Sequence, residues 1–319
     1  MQTHIEIPTH MKALRLHAAG EPSSLVLEEI PVPQPRKGEV LVRVHAAAIT
    51  RGELEWPSDR LPAIPSYEFS GVVAALGAQV KGIAVGDPVY ALSSFSRDGA
   101  AAEYLAVTAE HLAPKPERIG YPESAAVPLA GLSAWQGLYD HGRLAAGEQV
   151  LIHGAAGGVG SYAVQFARYA GASVIGTAST GHLDLVRALG ADRVIDHTAE
   201  RFETAVEPVD LVFDTAGGER LAASPAVLRP GGRLVSVAEQ PPQEEAARRG
   251  IEAVYFIVKP RRDQLLEIGE LIDAGKLRPL IAEIYPLAEG RRAFERSLER
   301  GHAGKIVLAT TAHELPTEK

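Results

Sequence analysis

Up to Val107 the apolar positions fall in short runs, Met11–Leu16, Leu25–Ile30, Val40–Ala48, Phe69–Leu76, Pro88–Ala91 and Ala101–Val107. Turn formers separate them, among them Pro31-Val32-Pro33-Gln34-Pro35, Arg36-Lys37-Gly38-Glu39 and Gly86-Asp87. Runs this short and closely spaced, without a helical period, predict strands in a small barrel or sandwich. After Pro122 the pattern changes. Apolar, β-branched runs at Gln149–His153, Ser173–Thr177, Arg193–Asp196, Val209–Asp214, Arg233–Val237 and Ile251–Phe256 alternate with segments of helical period. Those helices are expected to begin near Gly158, Gly181, Thr198, Gly218, Gln243 and Arg262. Strands alternating with helices predict an α/β fold, a doubly wound parallel sheet of six strands covered on both faces. The tail offers two more strands, Leu280–Tyr285 and Lys305–Ala309, flanking a helix across Glu289–Arg300. Its simplest assembly is a return to the first domain. The expected organisation is therefore a β-rich domain over 1–122, a nucleotide-binding sheet over 123–261 and a returning tail over 262–319, with residues 1–10 a flexible leader.

Composition narrows the function. Across 319 residues, 32 Lys+Arg stand against 40 Asp+Glu, for a net charge of −8. A diffuse acidic surface argues against a nucleic-acid or anionic-membrane partner, which requires a concentrated basic field. No stretch approaches the ~18 apolar residues of a membrane span. The chain has no cysteine, which removes disulfides, a thiol nucleophile and thiolate metal sites. A reducing cytoplasm is the expected location. Neither G-x-S-x-G nor H-E-x-x-H occurs, so hydrolase readings have no support. His153 and His45 are read as packing residues, and Trp56, Trp135 and Tyr139 as core or pocket wall.

The strongest chemical signal is Val150-Leu151-Ile152-His153-Gly154-Ala155-Ala156-Gly157-Gly158-Val159-Gly160. A strand ends at His153, a turn follows and a helix of small residues opens at Gly158. Unsatisfied N–H groups and the helix dipole at such a start favour a pyrophosphate. Gly157 allows close approach of the phosphates and Gly160 close packing of helix on strand. The first glycine of the usual G-x-G-x-x-G is replaced by Ala155, with Gly154 available for the turn. At the end of the second strand, Thr177-Ala178-Ser179-Thr180-Gly181-His182 carries no carboxylate before Asp184. An NAD-selecting site places an acid there for the ribose diol. The hydroxyls of Thr177, Ser179 and Thr180, with His182, suit a 2′-phosphate, so NADP(H) is the expected cofactor. The same residues also suit a helix cap. Thr215 and Ala216, after the fourth strand, and Phe256 and Ile257, at the end of the sixth, complete the candidate cofactor set.

Taken in order, these pieces resemble the medium-chain dehydrogenase/reductase superfamily, in its zinc-independent, quinone-oxidoreductase-like branch. The resemblance spans nearly the whole chain. It is carried by Glu39-Val40-Leu41-Val42, Pro65-Ser66-Tyr67-Glu68-Phe69-Ser70-Gly71, Val85-Gly86-Asp87-Pro88, Pro128-Leu129-Ala130-Gly131, the glycine turn, Asp214-Thr215-Ala216-Gly217-Gly218 and Gly304-Lys305-Ile306-Val307-Leu308. It implies a GroES-like catalytic domain, a Rossmann domain and a tail returning to the first. Zinc-dependent members carry a Cys after the third strand and a His before the Glu of Gly-His-Glu; here those places read Ile49-Thr50-Arg51-Gly52-Glu53 and Ser66-Tyr67-Glu68. The implied chemistry is hydride transfer from NADPH to a quinone or an α,β-unsaturated carbonyl. By the same resemblance Thr50 takes the place of an active-site Asn, Ser133 that of a cofactor-contacting Thr, and Lys305 that of the Lys in the closing Gly-Lys motif. Tyr67 either donates to the acceptor oxygen or fills the vacated metal pocket. Glu68 is read as structural and Glu53 as hydrogen-bonding near the pocket mouth. Relatives commonly dimerise through the edge strand, here Ile251–Val258. A pathway-specific enoyl reductase and a low-turnover cofactor-binding protein are the alternatives.

Overall fold

The structure is a computed structural model that describes residues 6–56, 59–299, 301–311 and 314. Two strands, β1 (His10–Leu16) and β2 (Leu25–Pro31), form an antiparallel ribbon. The main sheet of the N-terminal half holds β3 (Glu39–Ile49), β4 (Glu68–Leu76), β5 (Pro88–Leu92), β6 (Tyr104–Thr108) and β7 (Ala113–Pro114). The run at Ala101–Val107 becomes a strand only from Tyr104. Ala101 is drawn away instead, its carbonyl accepting from the Leu14 amide at 2.8 Å.

The second sheet is built from β8 (Gln149–His153), β9 (Ser173–Ala178), β10 (Arg193–Asp196), β11 (Val209–Asp214), β12 (Leu228–Ser236) and β13 (Glu252–Tyr255). Its order is β10-β9-β8-β11-β12-β13, parallel throughout. The chain reverses direction across the sheet between β8 and β11, the switch point where such folds bind ligands. This is an α/β, doubly wound Rossmann sheet beside a GroES-like β-rich domain. The expected helix near Thr198 starts only at Phe202. At Gly181, a single tight turn, Thr180–His182, precedes the helix Leu183–Ala188.

The periodicity missed the helix Pro128–Trp135, which runs on as a wider turn over Gln136–His141. Residues Pro128 to Ala134 are all buried, so no polar face marks its period. Pro128, at the first position, supplies the pre-set φ that starts it.

The tail returns as expected. β14 (Ile281–Pro286) pairs with β15 (Lys305–Ala309), which lies antiparallel on β3. One edge of β3 is thus shared, Glu39–Arg43 pairing with β6 and Ala46–Ile49 with β15. The intervening helix is Gly290–Leu298; Arg300 and residues 1–5 lie outside the described residues, and the rest of the expected leader is held in place, the Thr9 carbonyl accepting from the Val32 amide at 3.0 Å and His10 opening β1. β15 also reaches the second sheet. Gly304 pairs with Gly157, and its amide donates to the Ala156 carbonyl at 2.9 Å.

Candidate active site

The glycine turn follows from its contacts. Gly154 takes φ +72, and a Cβ there would stand 2.6 Å from Thr215 Oγ1. Gly154 therefore makes the turn that Ala155 cannot. Thr215 donates to the His153 carbonyl at 2.7 Å, which brings the end of β11 against the turn. At Gly160 a Cβ would overlap the Gly154 carbonyl, so the helix Gly158–Tyr169 sits on the turn only because no side chain intervenes. At Gly157 a Cβ would meet only the Gly154 oxygen, at 3.2 Å. The space over the turn is open there, and the helix's first amides face it without a side-chain cap. This cradle fits a dinucleotide pyrophosphate.

His153 lies beneath, fully buried, hydrogen-bonded through Nδ1 to Thr177 Oγ1 and through Nε2 to Ser224 Oγ, both at 3.2 Å. Burial pushes its imidazole down to about 3, so it is neutral. The Thr177 hydroxyl, expected at the phosphate, is buried and committed to His153 and to the Gly154 amide at 3.3 Å. β9 runs one residue past it, which keeps it inside the sheet. Ser179 Oγ pairs with His182 Nδ1 at 3.1 Å. Thr180 donates to Asp196 Oδ2 at 2.6 Å. Asp196, at the end of β10, is thus a carboxylate beside this strand end that reading along β9 alone overlooks; the Thr180 and Thr198 hydroxyls hold its carboxyl below the usual range. Phe256 packs on His141 at 4.4 Å between ring centroids, while Ile257 is 63% exposed.

Beside the turn stands a buried polar cluster. Lys305 runs along Gly158, where a Cβ would meet its Cδ at 2.7 Å. Its Nζ reaches Glu68 Oε1 at 2.6 Å and donates to Thr50 Oγ1 at 2.8 Å. Glu68 Oε2 accepts from the Leu129 amide at 2.8 Å, at the start of the helix Pro128–Trp135 that carries buried Ser133. Burial pushes the Glu68 carboxyl up, and Lys305 with the helix amides pulls it back. So Thr50, Glu68 and Lys305 converge at the turn, and Tyr67 is next in chain to Glu68.

The local backbone explains how Tyr67 is held. Ser66 takes φ +66, a region L residues rarely adopt. Its carbonyl accepts from the Ala100 amide, and Gly99 packs against it where any side chain would collide. Tyr67 is stacked by Trp56 at 5.7 Å and met edge-on by Phe95 at 5.3 Å. Arg60 Nη2 donates to its hydroxyl at 2.9 Å and to the Phe95 carbonyl at 2.6 Å. Arg60 was not singled out from the sequence; its stretch of mixed charge and proline carries no period.

Glu53 departs from expectation. It is fully buried, and neither carboxylate oxygen has a hydrogen-bond partner among the described residues. Burial pushes its carboxyl up to about 8, against the opposing charge of Lys305. The unfolded chain releases this proton near 4.5, so between about 4.5 and about 8 only the native state keeps it. Stability is therefore expected to fall as pH rises through that range. Each tenfold difference in proton affinity is worth about 1.4 kcal/mol, which makes the loss several kcal/mol. Glu53→Gln should raise the melting temperature at pH 8 by several degrees and flatten the slope between pH 5 and 8. Glu68, whose carboxyl burial also pushes up, adds a slope of the same sign. Calorimetry showing the wild-type slope unchanged in the variant would contradict this account.

Comparison with known proteins agrees with this architecture. Residues 36–117 match the alcohol dehydrogenase GroES-like domain family and residues 189–308 the family described as zinc-binding dehydrogenase. The chain is 35% identical to 2-methylene-furan-3-one reductase of Solanum lycopersicum, over 98% of this chain and 82% of that protein. It is 36% identical to the chloroplastic NADPH-dependent alkenal/one oxidoreductase of Arabidopsis thaliana, over 95% and 80%. The quinone oxidoreductase structure from Coxiella burnetii superposes with a TM-score of 0.88 at 32% identity, over 95% of this chain and 100% of that one. The chain belongs to the medium-chain dehydrogenase/reductase superfamily, in its quinone-oxidoreductase-like branch. It is an oxidoreductase of that family. No helix among the described residues is long and apolar enough to cross a membrane.

Proposed function

We propose that this protein transfers a hydride from NADPH to a quinone or α,β-unsaturated carbonyl without zinc. The observation that carries the reading is the convergence of Thr50, Glu68 and Lys305 on the glycine turn. The donor set does not fit zinc. Where zinc-dependent members hold Cys and His, this chain places Thr50 and Tyr67, and Glu68 is already paired with Lys305. Among the described residues no group of three His, Cys, Asp or Glu could hold a metal ion. Without a Lewis acid to stabilise an alkoxide, the chemistry shifts to acceptors that are already electron-poor.

The first amides of the helix Gly158–Tyr169 would hold the pyrophosphate, with Val159 at their centre. Ser133 and Thr215 would line the approach to it. Lys305 and Thr50 would close the site on the catalytic side. For the 2′-phosphate, with Thr177 and Thr180 committed elsewhere, the remaining donors lie on the Ser179–His182 pair, whose mutual bond occupies one of them. The Arabidopsis relative named as NADPH-dependent points the same way. When bound, the dinucleotide supplies the hydride. Tyr67 donates a hydrogen bond to the acceptor oxygen as charge develops there. We also propose a homodimer in which β13, the edge of its sheet, pairs with its counterpart.

The test is cofactor oxidation by the purified protein with a panel of quinones and enones, with NADPH and with NADH, in chelator and without it. Turnover of at least one acceptor, faster with NADPH and indifferent to chelator, is expected. No oxidation by any acceptor would favour a protein that binds the cofactor without turnover, and loss of activity in chelator would overturn the metal-free chemistry.

A further inference from the structure

We propose that Arg60 and Tyr67 form a two-donor site for the acceptor's carbonyl oxygen, with Arg60 Nη1 and the Tyr67 hydroxyl proton as the donors. The inference rests on the reduction proposed above and assigns the atoms that receive its charge. Its basis is hydrogen-bond arithmetic. Arg60 Nη2 is committed to Tyr67 Oη at 2.9 Å and to the Phe95 carbonyl at 2.6 Å. Arg60 Nη1 is buried and has no partner among the described residues. The guanidinium only donates, so Tyr67 must be the acceptor in their bond. That leaves the phenolic proton without an acceptor among the described residues. Two buried donors, Nη1 and the phenolic proton, linked through the Nη2–Tyr67 bond, are therefore left without acceptors among the described residues. Buried donors of this kind are rare unless something fills the gap. The species that satisfies both at once is an atom that only accepts: a carbonyl oxygen, and better, the oxyanion it becomes.

The surroundings agree on the class of ligand. Trp56, Tyr67 and Phe95 form a three-ring cluster with centroids 5.0 to 5.7 Å apart, and Trp56 is 40% exposed. Such rings suit a flat conjugated acceptor. The charged groups that bear on Tyr67 are Arg60, Glu53 and Asp98. Glu53 holds its proton near neutrality, and Asp98 accepts the Ile64 amide at 3.0 Å. Arg60 thus supplies the cation of the group.

The step balances without a protein acid. The hydride of the reduced nicotinamide dinucleotide adds to the β-carbon of an enone, and the π pair moves onto the carbonyl oxygen. Arg60 and Tyr67 hold the enolate oxygen. Water then gives a proton to the α-carbon and the carbonyl re-forms. The C=C bond is reduced by two electrons and the dinucleotide oxidised by two, while Tyr67 keeps its proton.

Removing one oxyanion donor commonly costs a hundredfold or more in kcat. Arg60→Met is therefore expected to lower kcat/KM for an enone about 100-fold, mostly in kcat, with NADPH affinity unchanged. Tyr67→Phe should lose at least about tenfold, and Arg60→Lys, which keeps the charge without the fork, should fall between wild type and Arg60→Met. A second readout does not need turnover. p-Nitrophenol added to protein with NADP+ mimics the oxyanion, and its absorbance reports ionisation. In wild type the bound dye should ionise at lower pH than free dye, and Arg60→Met should abolish that shift and bind the phenolate at least about tenfold more weakly. Phenolate affinity within twofold of wild type in Arg60→Met, with circular dichroism showing the native fold, would overturn the assignment. If wild type reduced no acceptor while the dye still responded to Arg60, the donor pair would stand and the reduction reading would fall. If wild type turned over while Arg60→Met changed neither rate nor dye, the donor pair would fall and the reduction would stand.

Discussion

Gly157→Val is expected to weaken NADPH binding at least about 100-fold, roughly 2.7 kcal/mol, while costing only about 1 kcal/mol of stability, a typical loss for a poor helix cap. Gly160→Val, three residues on, should lose both binding and about 3 kcal/mol or more of stability, the upper range for overpacking. The difference lies in what each new side chain meets. At Gly157 it enters the open space over the turn, near only one carbonyl oxygen at 3.2 Å. At Gly160 it overlaps the Gly154 carbonyl and crowds the Ala155 backbone, so the helix must lift. Isothermal titration with NADPH and thermal unfolding separate the two. Unchanged affinity in Gly157→Val would show that the cofactor lies elsewhere, and equal stability losses would show that the turn is not packed as described.

Lys305→Met should destabilise the protein by about 3–5 kcal/mol. Lys305 and Glu68 are both buried and 2.6 Å apart, and removing one partner of such a pair strands the other charge. The Glu68→Gln/Lys305→Met double variant should recover most of that loss, because an uncharged pair has no desolvation debt. Urea unfolding of the wild type and the two variants gives the comparison. A single-variant loss below about 1 kcal/mol would mean that Glu68 is already neutral in the native protein. The single variant should also loosen Thr50, whose hydroxyl accepts from Nζ at 2.8 Å and would keep only its longer bond to Glu68 Oε1 at 3.5 Å.

How legible was this in the sequence? The parallel sheet reads well because its central strands are buried on both faces and appear as unbroken apolar runs; β8 and β11 and the helix start at Gly158 are where the pattern puts them, and so is β10 at the sheet's edge. The helix Pro128–Trp135 was invisible for the same reason, since burial all round erases the period. At the site, the glycine turn, Thr50, Tyr67 and Lys305 could be named from motif and resemblance. Their meeting could not, because Lys305 and Thr50 touch only through the β15–β3 pairing. Thr177 faces into the sheet instead of the phosphate, and a hydroxyl in the sequence says nothing about which way a strand end faces. Asp196 arrives from the neighbouring strand, and its signal is a carboxylate at the end of β10. Glu53 reads as a hydrogen-bonding acid near the pocket mouth, and only the fold reveals that it is sealed in without a partner among the described residues.

The pairing of Gly304 with Gly157 bears on how the protein comes into being. During synthesis the second sheet can assemble once β13 has emerged, since its six strands are contiguous in the chain. The turn is not finished then. The Ala156 carbonyl and the flank of Gly158 wait for residues 304 and 305, and the Ala46–Ile49 edge of β3 waits for β15. A nascent chain thus carries two open backbone edges until its last strand arrives, when one segment closes both together. On the cofactor site proposed above, competence to hold the dinucleotide would in this sense be a late event of biogenesis. A chaperone guarding the incomplete chain would have the β3 edge to cover, because unpaired strand edges are where such intermediates aggregate.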